Sequence, residues 1–378
     1  RQVTKIGRRM LEFPLDPPLS RVLVSAAQKD VLPEAILAVA FLQIGGIFSG
    51  GLESVKNGTT YSREVAEMFF LSGRRCPPWL EKTKDGYDVN VGNTFQPREI
   101  ARTMERSIRH AFARASGNDF VASIRAYRAF KAMERSSQMD EFLLRHWCRE
   151  RFLNYDRICL ADTFVRRIVE EAEDMAPLHH PPECDIGFSA TDLTKALMEG
   201  LPYRLARREE NGRWRNRSGI FLLSFASCCS REAPLLLTAG VTFSQGHHPR
   251  DKSNGDVRIC QFAAPVEEAW VREAFSSHLE CQRSLTARYD SVNDRVVEEE
   301  TAFLFDLPMT TRELVVGDSD RAVSAMAQWM VEHPDQIPHK RLASVLKRNK
   351  QLAIAQDVEE DELYEFYEER LRGALRLS

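Results

Sequence analysis

The sequence predicts a multidomain α+β protein: a mainly α-helical bundle, then a small β-barrel, then a C-terminal α/β extension. Three observations predict it. Apolar residues recur at helical spacing through much of residues 17–48 and 98–176. The stretch "MAPLHHPPECDIG" (175–187) then places three prolines and a glycine together, the composition of a linker. Beyond it the period changes to short β-type runs, "GIFLLSFASC", "APLLLTAGVTFS" and "DVRICQFAAP", separated by polar turns, as in a small barrel or sandwich.

Taken in order, Thr4 to Arg8 reads as the last edge of a small domain. Asp16 then suits an N-cap and Pro17 the first helical position, where its missing N–H costs nothing. Leu19, Val22, Leu23 and Ala26 continue that helix, and Pro33 starts a second. Residues 49–97 are rich in Gly, Lys and Thr and read as loops around a short helix at 62–72. Three or four helices follow over 98–176, with Phe130, Phe142, Trp147 and Phe152 as the larger core side chains. After the linker come a helix at 189–200, the three β-type runs, and a helix at 265–277. Two further strands, "QRSLTARYD" and "DRVVEEETAFLFDL", precede a helical end at 320–378 that carries the acidic run "DVEEDELYEFYEER".

The net charge of -3 hides an uneven distribution. Residues 98–135 carry nine Arg/Lys against four Asp/Glu, residues 204–217 six against two, and residues 280–378 thirteen against twenty. A basic middle beside an acidic end suits one anion-facing surface. The eight cysteines (Cys76, Cys148, Cys159, Cys184, Cys228, Cys229, Cys260 and Cys281) have no framework spacing, so they read as reduced thiols of a cytoplasmic protein. The densest apolar stretch, "AILAVAFLQIGGIF", is shorter than the ~18 residues that a membrane helix needs, and no membrane partner is expected.

No nucleophile, metal or phosphate-cradle motif appears. G-x-x-x-x-G-K-[ST], H-E-x-x-H, C-x-x-C and G-x-S-x-G are all missing, and "QIGGIFSGGLESV" lacks the lysine of a phosphate loop. His179, His180 and Cys184, or Cys228 and Cys229 with His247 and His248, have spacings that fit no zinc finger or ribbon. No catalytic residue and no metal site is therefore assigned. The basic helices are the better candidates. On a helical wheel Arg98, Arg102, Arg106 and Arg109 fall within about a quarter of the circumference, with only Glu105 nearby. Arg125, Arg128, Lys131 and Arg135 span about a third of a second wheel. Such faces are either solvated surface or a track for phosphates. "RLARREENGRWRNR" adds Arg204, Arg207, Arg208, Arg213, Arg215 and Arg217 around Trp214, just before the first expected barrel strand. Trp214 either stacks on a base or caps the barrel.

Several stretches resemble one family. "TKIGRRMLEFPLDPP" is similar to the junction between the winged-helix and helical-bundle domains of DEAH-box helicases, matching at Thr4, Gly7, Arg8, Met10, Pro14, Leu15, Asp16 and Pro17. "GNDFVASIRAYRAF" resembles that family's Gly-Asp-His-Leu segment, with the His replaced and Phe130 in place of a Trp. "HWCRERFLNYDRICLADTFVRRI" resembles its Trp-Cys-x-x-x-Phe-Leu-Asn-Tyr helix pair at Trp147, Cys148, Phe152, Leu153, Asn154 and Tyr155, then at Arg157, Ala161 and Val165. "LMEGLPYRLARREENGRWRNRSG" resembles the family's oligonucleotide-binding-type domain, and "APVEEAWVREAF", then "ARYDSVNDRVVEEETAFLFDL", then a helical end look most like the bacterial HrpB type. The resemblance implies that residues 1–16 end a winged-helix domain, 17–177 form a helical ratchet bundle, 178–278 an OB-like barrel and 279–378 the extension. It further implies motor domains upstream that hold ATP and Mg, with no cofactor in this region, and a role in gripping single-stranded nucleic acid, RNA before DNA. The expected contacts are Arg98, Arg102, Arg106, Arg109, Arg125, Arg128, Arg204, Arg207, Arg208, Arg213, Trp214 and Arg215. The rival reading is a protein-interaction module that uses the acidic C-terminal tail.

Overall fold

The computed structural model describes residues 3–48, 55, 59–70, 77–90, 97–136, 140–173, 178–244, 257–333, 348 and 360–374. The expectations for Cys76, His247, His248, residues 49–54 and 175–177, the acidic residues 357–359 and the Arg98 side chain lie outside that set. The chain divides into two compact units, Arg1–Ala274 and Phe275–Ser378.

In the first unit, Lys5 to Arg8 is helical. Its helix, α1 (Lys5–Met10), is capped by the Thr4 hydroxyl, which accepts from the Gly7 N–H at 3.1 Å. α2 (Pro17–Ala27) starts at the expected proline, but Asp16 makes no capping bond through its side chain. α3 (Leu32–Ile44) is buried continuously from Leu32 to Phe41. A helix apolar on every side belongs at the centre of a bundle, and α3 packs there against α2 and three later helices. It ends at Gly45, whose φ of 74° supplies the left-handed C-cap that other residues adopt at a cost.

The loop region 49–97 contains more than a helix. Strands β1 (Thr60–Tyr61), β2 (Leu80–Lys82) and β3 (Tyr87–Val89) pair in the order β1-β3-β2 beside α4 (Arg63–Phe70). Such two- and three-residue strands are too short to leave a period-2 signal. The bundle continues with α5 (Pro97–Ala113), α6 (Asp119–Ser136), α7 (Glu141–Glu150) and α8 (Tyr155–Glu173). Phe130, Trp147 and Phe152 are core, whereas Phe142 is 76% exposed. On α7 the buried stripe is Leu144, Trp147 and Cys148, and Phe142 lies off that i, i+3, i+4 line.

α9 (Ala190–Gly200) crosses α2 closely, and any Cβ at Gly200 would meet Val22 and the Pro18 carbonyl at under 3 Å. Five strands follow: β4 (Leu205–Arg208), β5 (Trp214–Asn216), β6 (Gly219–Leu223), β7 (Leu235–Ser244) and β8 (Val257–Pro265). They close into a barrel in the order β4-β5-β6-β8-β7, with β6 and β8 parallel and the other pairs antiparallel. Ala206, Trp214, Phe221, Leu223, Leu236, Cys260 and Ala263 fill its interior. The arginine-rich run is thus the barrel's first two strands and not a hairpin preceding them. α10 (Glu268–Phe275) follows the last barrel strand.

Bundle and barrel lie in one compact unit, and Asp119 joins them. Its buried carboxylate accepts from the Ser227 hydroxyl (2.6 Å) and from the backbone N–H groups of Cys228 (2.9 Å) and Ala263 (3.0 Å). Next to it Phe120 stacks on Phe262 with centroids 5.3 Å apart.

The second unit is an antiparallel sheet, β9 (Leu279–Asp290), β10 (Arg295–Leu304) and β11 (Leu307–Val315), in the order β9-β10-β11. Tyr289, Val296 and Val316 pack on Ala322, Val323 and Met326 of α11 (Ser319–Glu332). Within the expected helical end, α12 (Glu360–Arg370) docks on α11 through Tyr367. Much of the acidic run therefore belongs to a packed helix: Glu368 accepts from the Ser324 hydroxyl at 2.5 Å.

Candidate nucleic-acid interface

The twelve residues expected to meet nucleic acid do not form one surface. α5 packs on α4 and α6, which leaves Arg102 and Arg106 half-buried on its outer side. Arg102 makes no ion pair among the described residues but stands near enough to Glu105 to favour its charged form. Arg109 differs. It is 6% exposed, donates to Glu105 Oε1 from Nε (3.1 Å) and Nη2 (2.7 Å), and lies over the Phe48 ring at 4.5 Å. Burial raises the Glu105 carboxyl, and the Arg109 charge opposes that shift. Arg109 is an internal partner, neutralised in place.

Arg125 and Arg128 of α6 are internal too, whereas Arg135 near its end is exposed and pairs with Glu183 at 3.4 Å. Arg125 is half-buried and donates from Nη1 to the Phe112 (3.3 Å) and Ala113 (3.0 Å) carbonyls, closing the C-terminus of α5. Burial lowers its pKa. Arg128 is 1% exposed and pairs with the equally buried Glu34 at 2.5 Å. It also donates to the Pro182 and Ile186 carbonyls, each at 2.9 Å. Part of the expected linker is thereby pinned to the bundle. His180 stands 3.5 Å from the same Glu34, while His179 meets Asp30 at 3.2 Å.

On the barrel, strand parity decides. Arg208 pairs with Trp214 and Arg207 with Arg215 in the β4–β5 register, so the two pairs face opposite sides. Trp214 faces inward at 1% exposure. It has no free face for a base, and its alternative role in closing the barrel core is the one it fills. Arg207 and Arg215 share the outer face, with Arg215 paired to Glu209. Arg208 meets Glu232 at 3.2 Å, and Arg213 is half-buried beyond the Asn211–Gly212 turn. Arg204 is exposed and makes no ion pair among the described residues.

Two residues outside the expected set join it. Tyr203 is 49% exposed, and the exposed Arg217 guanidinium lies over its ring at 4.9 Å. Arg217 sits in the basic run, but nothing in the sequence brings it back across fourteen residues onto a tyrosine. Tyr203 and Arg204 form the barrel rim of a groove of about 730 Å³ whose other walls are Pro17, Pro18 and Arg21 of α2, Gln43 of α3, the end of α9 and Ala239–Val241 of β7.

No helix among the described residues is long and apolar enough to cross a membrane. Residues 16–120 match the family model described as helicase associated domain (HA2), ratchet-like. The matched segment runs from the cap of α2 to the first residues of α6, so it contains the whole of α5. Residues 16–120 are thus similar to a ratchet-like helicase-associated domain, with the barrel lying beyond the match.

Proposed function

We propose that this chain is the nucleic-acid-gripping C-terminal region of an NTP-dependent, DEAH-box-type helicase of the cytoplasm, closest to the HrpB type, that holds a single strand and packs on motor domains of the same protein. The observation that carries the reading is the ratchet-like helicase-associated match, which includes the Arg102 and Arg106 helix. The barrel's strand order supports it, since a closed five-stranded barrel of this size suits an OB-like domain. RNA is preferred to DNA on the family resemblance alone.

The grip is electrostatic. Half-exposed arginines on α5 and on the barrel's outer strands meet phosphates and release counterions, which holds the strand without reading its bases. ATP and magnesium belong, in this reading, to the motor domains. The glycines at 45–46 close the C-terminal end of α3, where carbonyls and negative dipole accumulate, the reverse of a phosphate cradle. The protein-interaction alternative is weaker, because Tyr367 and Glu368 of the acidic run are engaged with α11.

Anisotropy titration of a labelled single-stranded RNA across a salt series tests the reading. Arg102, Arg106, Arg204, Arg207, Arg213 and Arg215 bound the slope of log K against log salt at roughly -4, at about 0.7 per phosphate. Loss of all binding at low salt would overturn it.

A further inference from the structure

The corner between α5 and α6 carries an arginine where the backbone favours glycine. Arg114 opens a one-turn 3₁₀ helix, Arg114–Ser116, at the end of α5, with a φ of 53°. Left-handed backbone is costly for any residue with a Cβ, and glycine is the usual occupant of that place after a helix. Such outliers persist where something else is gained, and they gather at binding sites. Local pairing does not supply the gain. Arg114 is exposed, and its side chain makes no hydrogen bond or ion pair among the described residues.

Its charged neighbour is Arg125. That guanidinium gives Nη1 to the Phe112 and Ala113 carbonyls, while Nε and Nη2 have no hydrogen-bond partner among the described residues and reach solvent. Burial pulls the Arg125 pKa down and the Arg114 charge pulls it further, so two cations stand close and repel. Asp185 offsets part of this without forming an ion pair among the described residues, and the Arg128 charge is committed to Glu34. The corner is also braced. Ser116 Oγ donates to the Ala113 carbonyl at 2.7 Å, and Asn118 Oδ1 accepts from the Phe120 N–H at 2.9 Å. Asn118 Nδ2 donates to the Thr194 hydroxyl of α9 at 3.0 Å, and the next residue, Asp119, is tied to the barrel. Two guanidiniums on a fixed corner, with open donors and no carboxylate paired to either, form a preorganised place for an anion.

We propose that Arg114 and Arg125 clamp one phosphate group of the bound single strand. The proposal rests on the nucleic-acid reading above and adds a contact beside the Asp119 tie between bundle and barrel. Phosphate oxygens accept from the Arg114 fork and from Nε and Nη2 of Arg125, and the anion removes the repulsion between the two cations. Phosphates are alike along a strand, so the clamp is indifferent to base sequence.

The test uses the full 378-residue chain with labelled oligouridylate and oligoadenylate over a salt series, and with inorganic phosphate alone. Arg114→Gly removes the guanidinium and the backbone strain together. It should weaken binding of both oligonucleotides ~10-fold at low salt and flatten the slope of log K against log salt by about 0.7. It should melt no lower than wild type, because the strain relieved offsets the freedom that glycine gains in the unfolded chain. Arg114→Lys keeps the charge and should keep the slope. If Arg114→Gly bound both strands like wild type, the clamp would fall and the rest of the electrostatic grip would stand. A marked drop in its melting temperature would also overturn the clamp, since the guanidinium would then be holding the fold. Inorganic phosphate might instead raise the melting temperature of wild type and not of Arg114→Gly, with strand binding equal in both; the site would then take a free phosphate and the strand assignment would fail. If wild type bound neither strand at low salt, the nucleic-acid reading itself would fall and the clamp with it.

Discussion

Arg128 donates from all three guanidinium nitrogens: Nε to the Pro182 carbonyl, Nη1 to the Ile186 carbonyl and Nη2 to Glu34. A partner on every nitrogen, in a place this buried, defines a structural clamp that a phosphate cannot reach. Removing one member strands the other's charge in a low-dielectric interior, which typically costs ~3–5 kcal/mol. Arg128→Gln should thus lower the melting temperature of the first unit by roughly 10 °C. The double variant Arg128→Met with Glu34→Gln should recover most of that loss, because no charge remains buried. If the single variant melted like wild type, the clamp would not be a stabilising feature. The same logic holds for Asp119, whose carboxylate ties Ser227, Cys228 and Ala263 to the start of α6.

At the scale of the element, α5 separates two kinds of arginine that lie close on its wheel. Arg106 and Arg109 are neighbours by rotation, yet Arg109 turns in to Glu105 and Phe48 while Arg106 stays half-exposed. Changing Arg102 and Arg106 together to Gln should flatten the salt dependence of RNA binding by about 1.4 units, two phosphates at about 0.7 each. Gln keeps most of the helix propensity of Arg, so melting should hold. Arg109→Gln should do the opposite, lowering the melting temperature and leaving the slope in place. A flattened slope in Arg109→Gln, with folding intact, would return that residue to the binding face. The β10–β11 hairpin shows another element-scale effect. Its two-residue turn is Phe305–Asp306 with φ of 47° and 72°, a conformation that usually calls for Asn-Gly. With that signal missing, nothing in "FDLPMTTREL" announces β11.

For the whole molecule, the two units should respond differently to acid. In the second unit, Arg312 holds the Glu300 carboxyl below its ordinary range through hydrogen bonds, aided by Arg283, and Asn293 does the same for Asp290. A depressed carboxyl pKa means that the folded state binds the ionised form more tightly. That contribution is fully present above the unfolded value near ~4 and fades as pH falls through the lower folded one. Calorimetry from pH 7 to pH 3 should show the transition of the second unit falling, and Glu300→Gln should fall less over that interval. Equal falls in the two proteins would show that Glu300 carries none of the pH dependence.

Periodicity determined much of the fold. Residues that repeat every three to four positions between 17 and 173 could bury a stripe only as helices, and Pro17 and Gly45 punctuate them by backbone geometry alone. The barrel's longer strands were legible for the same local reason. The candidate surface was legible only in part, because composition marks where arginines lie along the chain and not what meets them. Glu34 lies 94 residues from Arg128 and Pro182 lies 54. Within "RWRNR" the alternation defines two faces, but closure of β5 against β6 and β4 decided that Trp214 turns inward. Tyr203 and Arg217 met only because a braced turn and a strand end came side by side. Burial and charge neutralisation are properties of spatial neighbours, so tertiary structure alone could sort the arginines that hold the fold from those nearer its surface.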